Sequence, residues 1–109
     1  MQSNHEMHEI VASEICKEIA KRLEADPKLF NIAMKNLLQW EKTANGLAPA
    51  QEEWKNIVQT KTHEDILKIL IMGDQESIRL RSSAPFVGIL TSAEVQNIKY
   101  RVYGLQNAA

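Results

Sequence analysis

Residues 84–90 form a short apolar stretch that contains a proline and a glycine, and they constrain the fold more than any other feature of the sequence. Pro85 lacks a backbone N–H and pushes the residue before it out of helical backbone angles, so an incoming helix must end near Ser83. Gly88 permits backbone angles that other residues avoid. The large apolar side chains of the stretch are Phe86, Val87, Ile89 and Leu90. Because exposed apolar surface costs about 25 cal/mol per Å², we predict a non-helical connector that folds into the core between two helices.

The backbone of a buried connector needs hydrogen-bond partners, because a buried polar group left unpaired costs about 1–3 kcal/mol. The side chains predicted to donate to its carbonyl groups are Arg79, Arg81, Ser82 and Ser83. A second interpretation stays open, in which the stretch is a rigid exposed loop whose Phe86 and arginines anchor a partner protein. Arginine and aromatic side chains are enriched at the energetic centres of interfaces, and the two interpretations can overlap.

The rest of the chain carries the apolar periodicity of amphipathic helices. We predict an all-α fold, a single compact domain of about six helices with the buried connector before the last one. The first helix follows the capping-box spacing of Ser3 and Glu6 and ends near Glu24. The other predicted helices cover residues 27–42, 50–59, 63–72, 75–82 and 92–103.

Several helix boundaries are marked by capping residues. The predicted N-caps are Asp26, Thr62, Asp74 and Thr91. Gly104 is predicted to end the last helix. The second helix is apolar around most of its circumference, so we predict that it is the most buried. The apolar run 66–72 also fits a buried strand, but the acidic residues directly after Thr62 favour a helix.

Length and composition indicate one globular domain that covers residues 1–109, with residues 1–4 and 106–109 frayed. Hydrophobic residues make up 44% of the chain and charged residues 25%, values that exclude wholesale disorder. The net charge of −1 gives no overall basic field for nucleic acid. No apolar run is long enough to span a membrane, and a single cysteine fits a reducing compartment. We therefore expect a cytoplasmic protein.

No residue pattern in the sequence indicates catalysis. Cys16 has no identifiable base beside it, as a nucleophile requires. His5 and His8 supply too few ligands for a zinc site. We therefore predict no enzymatic activity, no cofactor and no metal. Trp40 and Trp54 are predicted to be core residues.

Residues 79–91 read Arg-Leu-Arg-x-Ser-x-Pro-Phe-x-Gly-x-Leu-Thr and are followed by Glu94. This segment resembles the signature of a group of short bacterial all-helical proteins. Upstream residues that also stand where such proteins have them are Asp26, Pro27, Trp40 and Trp54. The resemblance covers residues 15–100, and Val95 departs from it, because the group is expected to carry an arginine or lysine near this position. The resemblance implies a helical fold and an association with toxin-partner gene pairs.

We predict a non-enzymatic protein-interaction module, antitoxin-like or an accessory partner of a bacterial gene pair. The predicted partner-binding residues are Arg79, Arg81 and Phe86, and the predicted structural residues of the segment are Ser83, Pro85, Gly88, Leu90 and Thr91. The alternative is a DNA-binding regulator in which residues 63–82 form a helix-turn-helix. A homodimer is a further option, because a small core can leave an apolar stripe of the first helix for a second copy.

Overall fold

Helices and short connectors make up the part of the chain that the computed structural model describes, the backbone of residues 4–107 and the side chains of residues 6–104. The α-helices are α1 (Asn4–Ala25), α2 (Asn31–Thr43), α3 (Pro49–Thr60), α4 (His63–Ile71), α5 (Gln75–Arg81) and α6 (Ser92–Asn107). A 3-10 turn, Pro27–Phe30, precedes α2. These residues contain no strand, and they form one compact all-helical domain, as predicted. The predicted cap Ser3 and the chain ends 1–3 and 108–109 lie outside the described residues.

Side-chain hydrogen bonds fix where several helices begin. Asp26, Thr62 and Asp74 each accept a bond from a backbone N–H two or three residues further along, at 3.3, 3.1 and 3.1 Å respectively. At the start of α6, Glu94 N–H donates to the Thr91 hydroxyl at 3.1 Å, and Thr91 N–H donates to the Glu94 carboxylate at 2.9 Å. This reciprocal pair is a capping box. The predicted N-caps are therefore confirmed.

The most buried helix is α1, not α2 as predicted. α1 packs against α4, α6 and the 3-10 turn. Its buried apolar side chains are Met7, Val11, Cys16, Ile19, Ala20 and Leu23. On α2, Ala33 and Leu37 are buried, whereas Leu38 is 52% exposed. The prediction was wrong because an apolar circumference does not determine how many faces meet a neighbour, and α2 packs mainly against α3 and the adjoining 3-10 turn.

Two predicted helix boundaries are also corrected. The predicted helix over residues 27–42 starts with a 3-10 turn, and α2 itself begins at Asn31. Tight 3-10 turns are frequent at helix starts. Gly104, predicted to end the last helix, lies inside α6, which continues to Asn107. A glycine inside a helix costs only about 1 kcal/mol, so its neighbours can carry the helix past it.

Ion pairs join the long helices α1 and α6, which run antiparallel. Arg22 bonds to Glu94 near the start of α6, and Glu14 lies 3.5 Å from Arg101 further along α6. Glu94 therefore has two partners, since one carboxylate oxygen caps α6 and the other meets Arg22. The hydrogen bond from Arg22 and that from the Thr91 N–H lower the pKa of Glu94 to about 2 from its ordinary value of 4.5.

Glu94→Gln should remove a pH-dependent part of the stability. The folded-state pKa lies below the unfolded one, so the stabilisation is complete above about pH 4.5 and is lost as the pH falls towards 2. The difference in urea midpoint between wild type and variant should be largest at about pH 6 and should vanish near pH 2. Glu24→Gln is the control, because Glu24 is exposed. A difference that does not change with pH would contradict the assignment.

Candidate partner-binding surface

The connector between α5 and α6 enters the core, as predicted, although Val87 stays outside it. Pro85, Ile89 and Leu90 are buried, and Phe86 is 1% exposed. The Phe86 ring meets Trp54 edge to face with ring centres 5.8 Å apart. Edge-to-face aromatic pairs are favourable beyond the area that they bury. The open alternative in which Phe86 is an exposed anchor for a partner is therefore wrong, because this side chain lies inside the core.

A single side chain from α2 binds the connector backbone. The Asn36 amide donates to the carbonyl oxygens of Pro85 at 2.9 Å and Val87 at 2.8 Å. Three of the predicted donors, Arg79, Arg81 and Ser82, have other acceptors. Ser82 donates to the Arg79 carbonyl at 2.7 Å. No local spacing in the sequence could reveal the true donor, because Asn36 is 49 residues away from Pro85.

Arg81 holds the end of α4 in place. Its Nη1 donates to the carbonyl oxygens of Ile69 at 2.9 Å and Met72 at 2.5 Å. The last carbonyls of a helix have no partner within that helix, so a cation placed there satisfies them and also favours the helix dipole. The side chain of Arg81 is half-buried and lies beside α1, where its charge acts on the thiol of Cys16. Arg81 therefore connects α1, α4 and α5.

Arg79 links α3 to α5 on the surface. Its guanidinium donates to both carboxylate oxygens of Glu53, at 3.0 and 2.8 Å, and to Glu76 at 3.2 and 2.5 Å. These hydrogen bonds lower the pKa of both glutamates and raise that of Arg79. The positive charge of Arg79 is therefore opposed by two carboxylates.

The two tryptophans and Cys16 occupy or border the core. Trp54 is completely buried, and its indole N–H donates to the Leu80 carbonyl at 2.7 Å. Trp40 is half-buried and packs against the core. The Cys16 thiol is buried, and burial raises its pKa while the charge of Arg81 partly opposes that rise. A raised pKa makes a thiol a poor nucleophile, and the buried position of Cys16 is that of a packing residue.

An apolar groove lies between α1 and α6 and is closed at one end by the connector. We call it the α1–α6 groove; it has a volume of about 540 Å³. Residues that line it include Ala12, Ile15, Val87, Leu90, Val95 and Lys99. Val87, predicted to be buried with its neighbours, is 68% exposed at the groove. A further cavity shares Ala12, Ile15 and Lys99 and extends the groove towards His8 and Tyr103.

A second groove lies between α1 and α5, against the turn between α4 and α5. Residues that line it include His8, Ala12, Gly73, Ile78, Arg81 and Ser82. The two grooves share Ala12 and Arg81. Ile78 on α5 is 46% exposed, and Met72 in the turn between α4 and α5 is 49% exposed. Arg81, one of the predicted partner-binding residues, therefore lies where the two grooves meet, whereas Arg79 lines neither of them.

The described residues bring together no group of three or more His, Cys, Asp or Glu side chains that could hold a metal ion. His8 is exposed, and the side chain of His5 lies outside the described residues. No helix in this part of the chain has the length and apolar character needed to cross a membrane.

Comparison of the chain with protein-family models, with curated proteins and with solved structures gives no match. The resemblance to short bacterial helical proteins therefore stays a prediction.

Asn36→Ala should lower the free energy of unfolding by about 1–2 kcal/mol, because two carbonyls lose their common donor. The control is Asn56→Ala, which makes the same change of residue on the exposed face of α3. Both changes alter helix propensity equally, so the difference between the two variants reports the connector contacts. Equal urea midpoints for the Asn36→Ala and Asn56→Ala variants would contradict the role given to Asn36.

Gly88→Ala should destabilise the protein by about 1–2 kcal/mol, because Gly88 has φ +101°, in a region that side chains with a Cβ avoid. The space around Gly88 does not contribute, since an added Cβ would meet no atom within 4 Å. Gly73→Ala is the matched control, because its Cβ would be equally unhindered and its φ lies outside the left-handed region. Thermal denaturation that shifts equally for both variants would show that the backbone angle is not the cause.

Proposed function

We propose that this protein is a non-enzymatic protein-interaction module whose docking surface is the α1–α6 groove. The observation that carries the proposal is the exposed side chain of Val87 beside this apolar groove. Contiguous apolar surface on a monomer marks an interaction site more often than a lone exposed side chain does. The second groove extends the same surface past Arg81, where Ile78 adds half-exposed apolar area.

The proposed docking surface differs in part from the partner-binding residues that the sequence predicted. Phe86 supports the groove from inside the core and cannot meet a partner in this conformation. Arg79 already shares its charge with two glutamates. Arg81 remains a candidate contact, because it reaches the groove while also binding the end of α4. A role as an antitoxin-like or accessory partner in a bacterial gene pair, in the cytoplasm, is the biological setting that the sequence resemblance suggests for such a module.

The DNA-binding alternative receives less support. α4 and α5 are joined by a short turn, as in a helix-turn-helix. A phosphate contact through Arg79 would compete with Glu53 and Glu76. Arg81 donates to two backbone carbonyls. The helix that would enter the DNA groove, α5, is short, with seven residues. Phosphate contacts usually need several accessible Lys or Arg side chains together, and α5 has two arginines, of which Arg79 is already paired with carboxylates.

Val87→Asp should abolish capture of the partner, because it places a charge beside an apolar docking surface. The test is affinity capture of the tagged full chain from cells that express it, quantified by mass spectrometry. Proteins enriched with the wild type should fall at least about tenfold with the variant, a loss typical of an interface hot spot. The melting temperature should change little, because Val87 is 68% exposed.

Leu38→Asp is the matched control for Val87→Asp. Leu38 is a comparably exposed apolar residue, 52% accessible, that lines neither groove. It should retain every protein that the wild type captures. If both variants keep the same proteins, or both lose them, the groove is not the docking surface.

A further inference from the structure

We infer that the partner of the α1–α6 groove is an amphipathic α-helix with acidic residues along the edges of its apolar face. This inference rests on the proposed function and specifies the chemistry of the partner. Its basis is the length of the groove, the nature of its walls and the sign of the charges that line it.

The walls of the groove are two antiparallel helices. Lining residues run from His8 to Ile19 on α1 and from Ser92 to Tyr103 on α6. Each wall spans 11 residue steps at about 1.5 Å per residue, roughly 16 Å or three turns of helix. A helix of about three turns therefore fits along the groove, with apolar residues at spacings of three and four facing the lining.

The apolar lining favours a helix over an extended peptide. An extended segment brings unpaired N–H and C=O groups, which need partners when they are buried. The lining is mainly apolar side chains, and the described residues have no strand edge that an extended segment could join. A helix satisfies its own backbone, so it can lie on Ile15, Leu90 and Val95 without losing hydrogen bonds.

The described charged side chains at the groove are basic. Arg81 and Lys99 line the α1–α6 groove, His8 lines the cavity that extends it, and no carboxylate of the described residues lines either one. Lys99 forms no ion pair with a described residue. The charge of Arg81 acts on Asp74, but these two form no ion pair either. An acidic partner would therefore meet cations that form no ion pair with a carboxylate of the described residues.

The acidic groups of the α1–α6 contact lie on its other flank. At 100° per residue, Glu94 is about 160° around α6 from both Ser92 and Gln96, which line the groove. Glu94 meets Arg22 on that far flank, and Glu14 meets Arg101. The α1–α6 contact thus has ion pairs on one flank and, on the flank that forms the groove, cations without an ion pair to a described residue. This separation is the charge complementarity that selects an acidic partner.

The same charges disfavour a second copy of the chain as the occupant. A two-fold dimer through this groove would place the same surface on both sides of the interface. Arg81 and Lys99 of one copy would then approach the cations of the other, and like charges placed together are unfavourable. A different chain that carries carboxylates has no such conflict.

The test uses two labelled helical peptides of about 18 residues, or five turns. Both carry leucine at positions that form one apolar stripe, with glutamate on both edges in one peptide and lysine in the other. The full-length protein is titrated against each, and binding is followed by fluorescence anisotropy. The glutamate peptide should bind at least about tenfold more tightly, and its advantage should shrink at high salt because salt screens surface charges.

Lys99→Glu should remove most of this preference for the acidic peptide, and Lys35→Glu should leave it unchanged. Lys35 is an exposed lysine on α2 that lines neither groove. Equal binding of the two peptides, no saturable binding, or the same loss in both variants would overturn the inference. Sedimentation that shows a dimer disrupted by Val87→Asp would also overturn it, by identifying a second copy as the occupant.

The inference and the proposed function can fail separately. A captured partner that depends on Val87 but contacts the groove without an acidic helix would leave the proposed function intact and overturn the inference. Capture that does not depend on Val87, together with selective binding of the glutamate peptide, would overturn the proposed function while the binding chemistry of the groove stands.

Discussion

The contacts that fix the connector in the core join it to α2, α3 and the 3-10 turn. Asn36 binds the carbonyls on either side of Phe86, at Pro85 and Val87, and so sets the backbone of the connector against α2. The Phe86 ring then lies between Trp54 and Phe30, with ring centres 5.8 and 6.4 Å away. A buried aromatic ring and two satisfied carbonyls support each other, because the ring can stay in the core only if the backbone that carries it loses no hydrogen bonds.

The position of the connector also decides what is left exposed. The turn that buries Phe86 and Ile89 directs Val87 outwards, beside the space between α1 and α6. Neighbouring residues of an irregular segment can face opposite ways, and Gly88, with φ +101°, helps the chain to turn there. The groove is thus a direct result of how the connector enters the core.

Arginines serve three different purposes in this fold. Arg22 joins α1 to the capping glutamate of α6, Arg79 joins α3 to α5, and Arg81 binds the end of α4. Arg22 and Arg79 form ion pairs that are exposed or partly exposed, and such pairs contribute modestly to stability. Arg81 instead satisfies carbonyls, and its positive charge stays available at the junction of the two grooves. The residue types were visible in the sequence, but these differences in role depend on partners that are distant along the chain.

The sequence by itself determined the elements of this protein. Helix periodicity and the capping residues Asp26, Thr62, Asp74 and Thr91 act over a few residues, so they could be recognised without a structure, and the combination of proline, glycine and apolar residues correctly indicated a buried connector. Tertiary structure alone decided that α1 is the central helix, that Asn36 binds the connector, that Phe86 is inside and Val87 outside, and that the two long helices leave a groove with basic residues. The reason is physical: local patterns fix backbone conformation over a turn or two, whereas burial and hydrogen-bond partners depend on which faces meet in three dimensions.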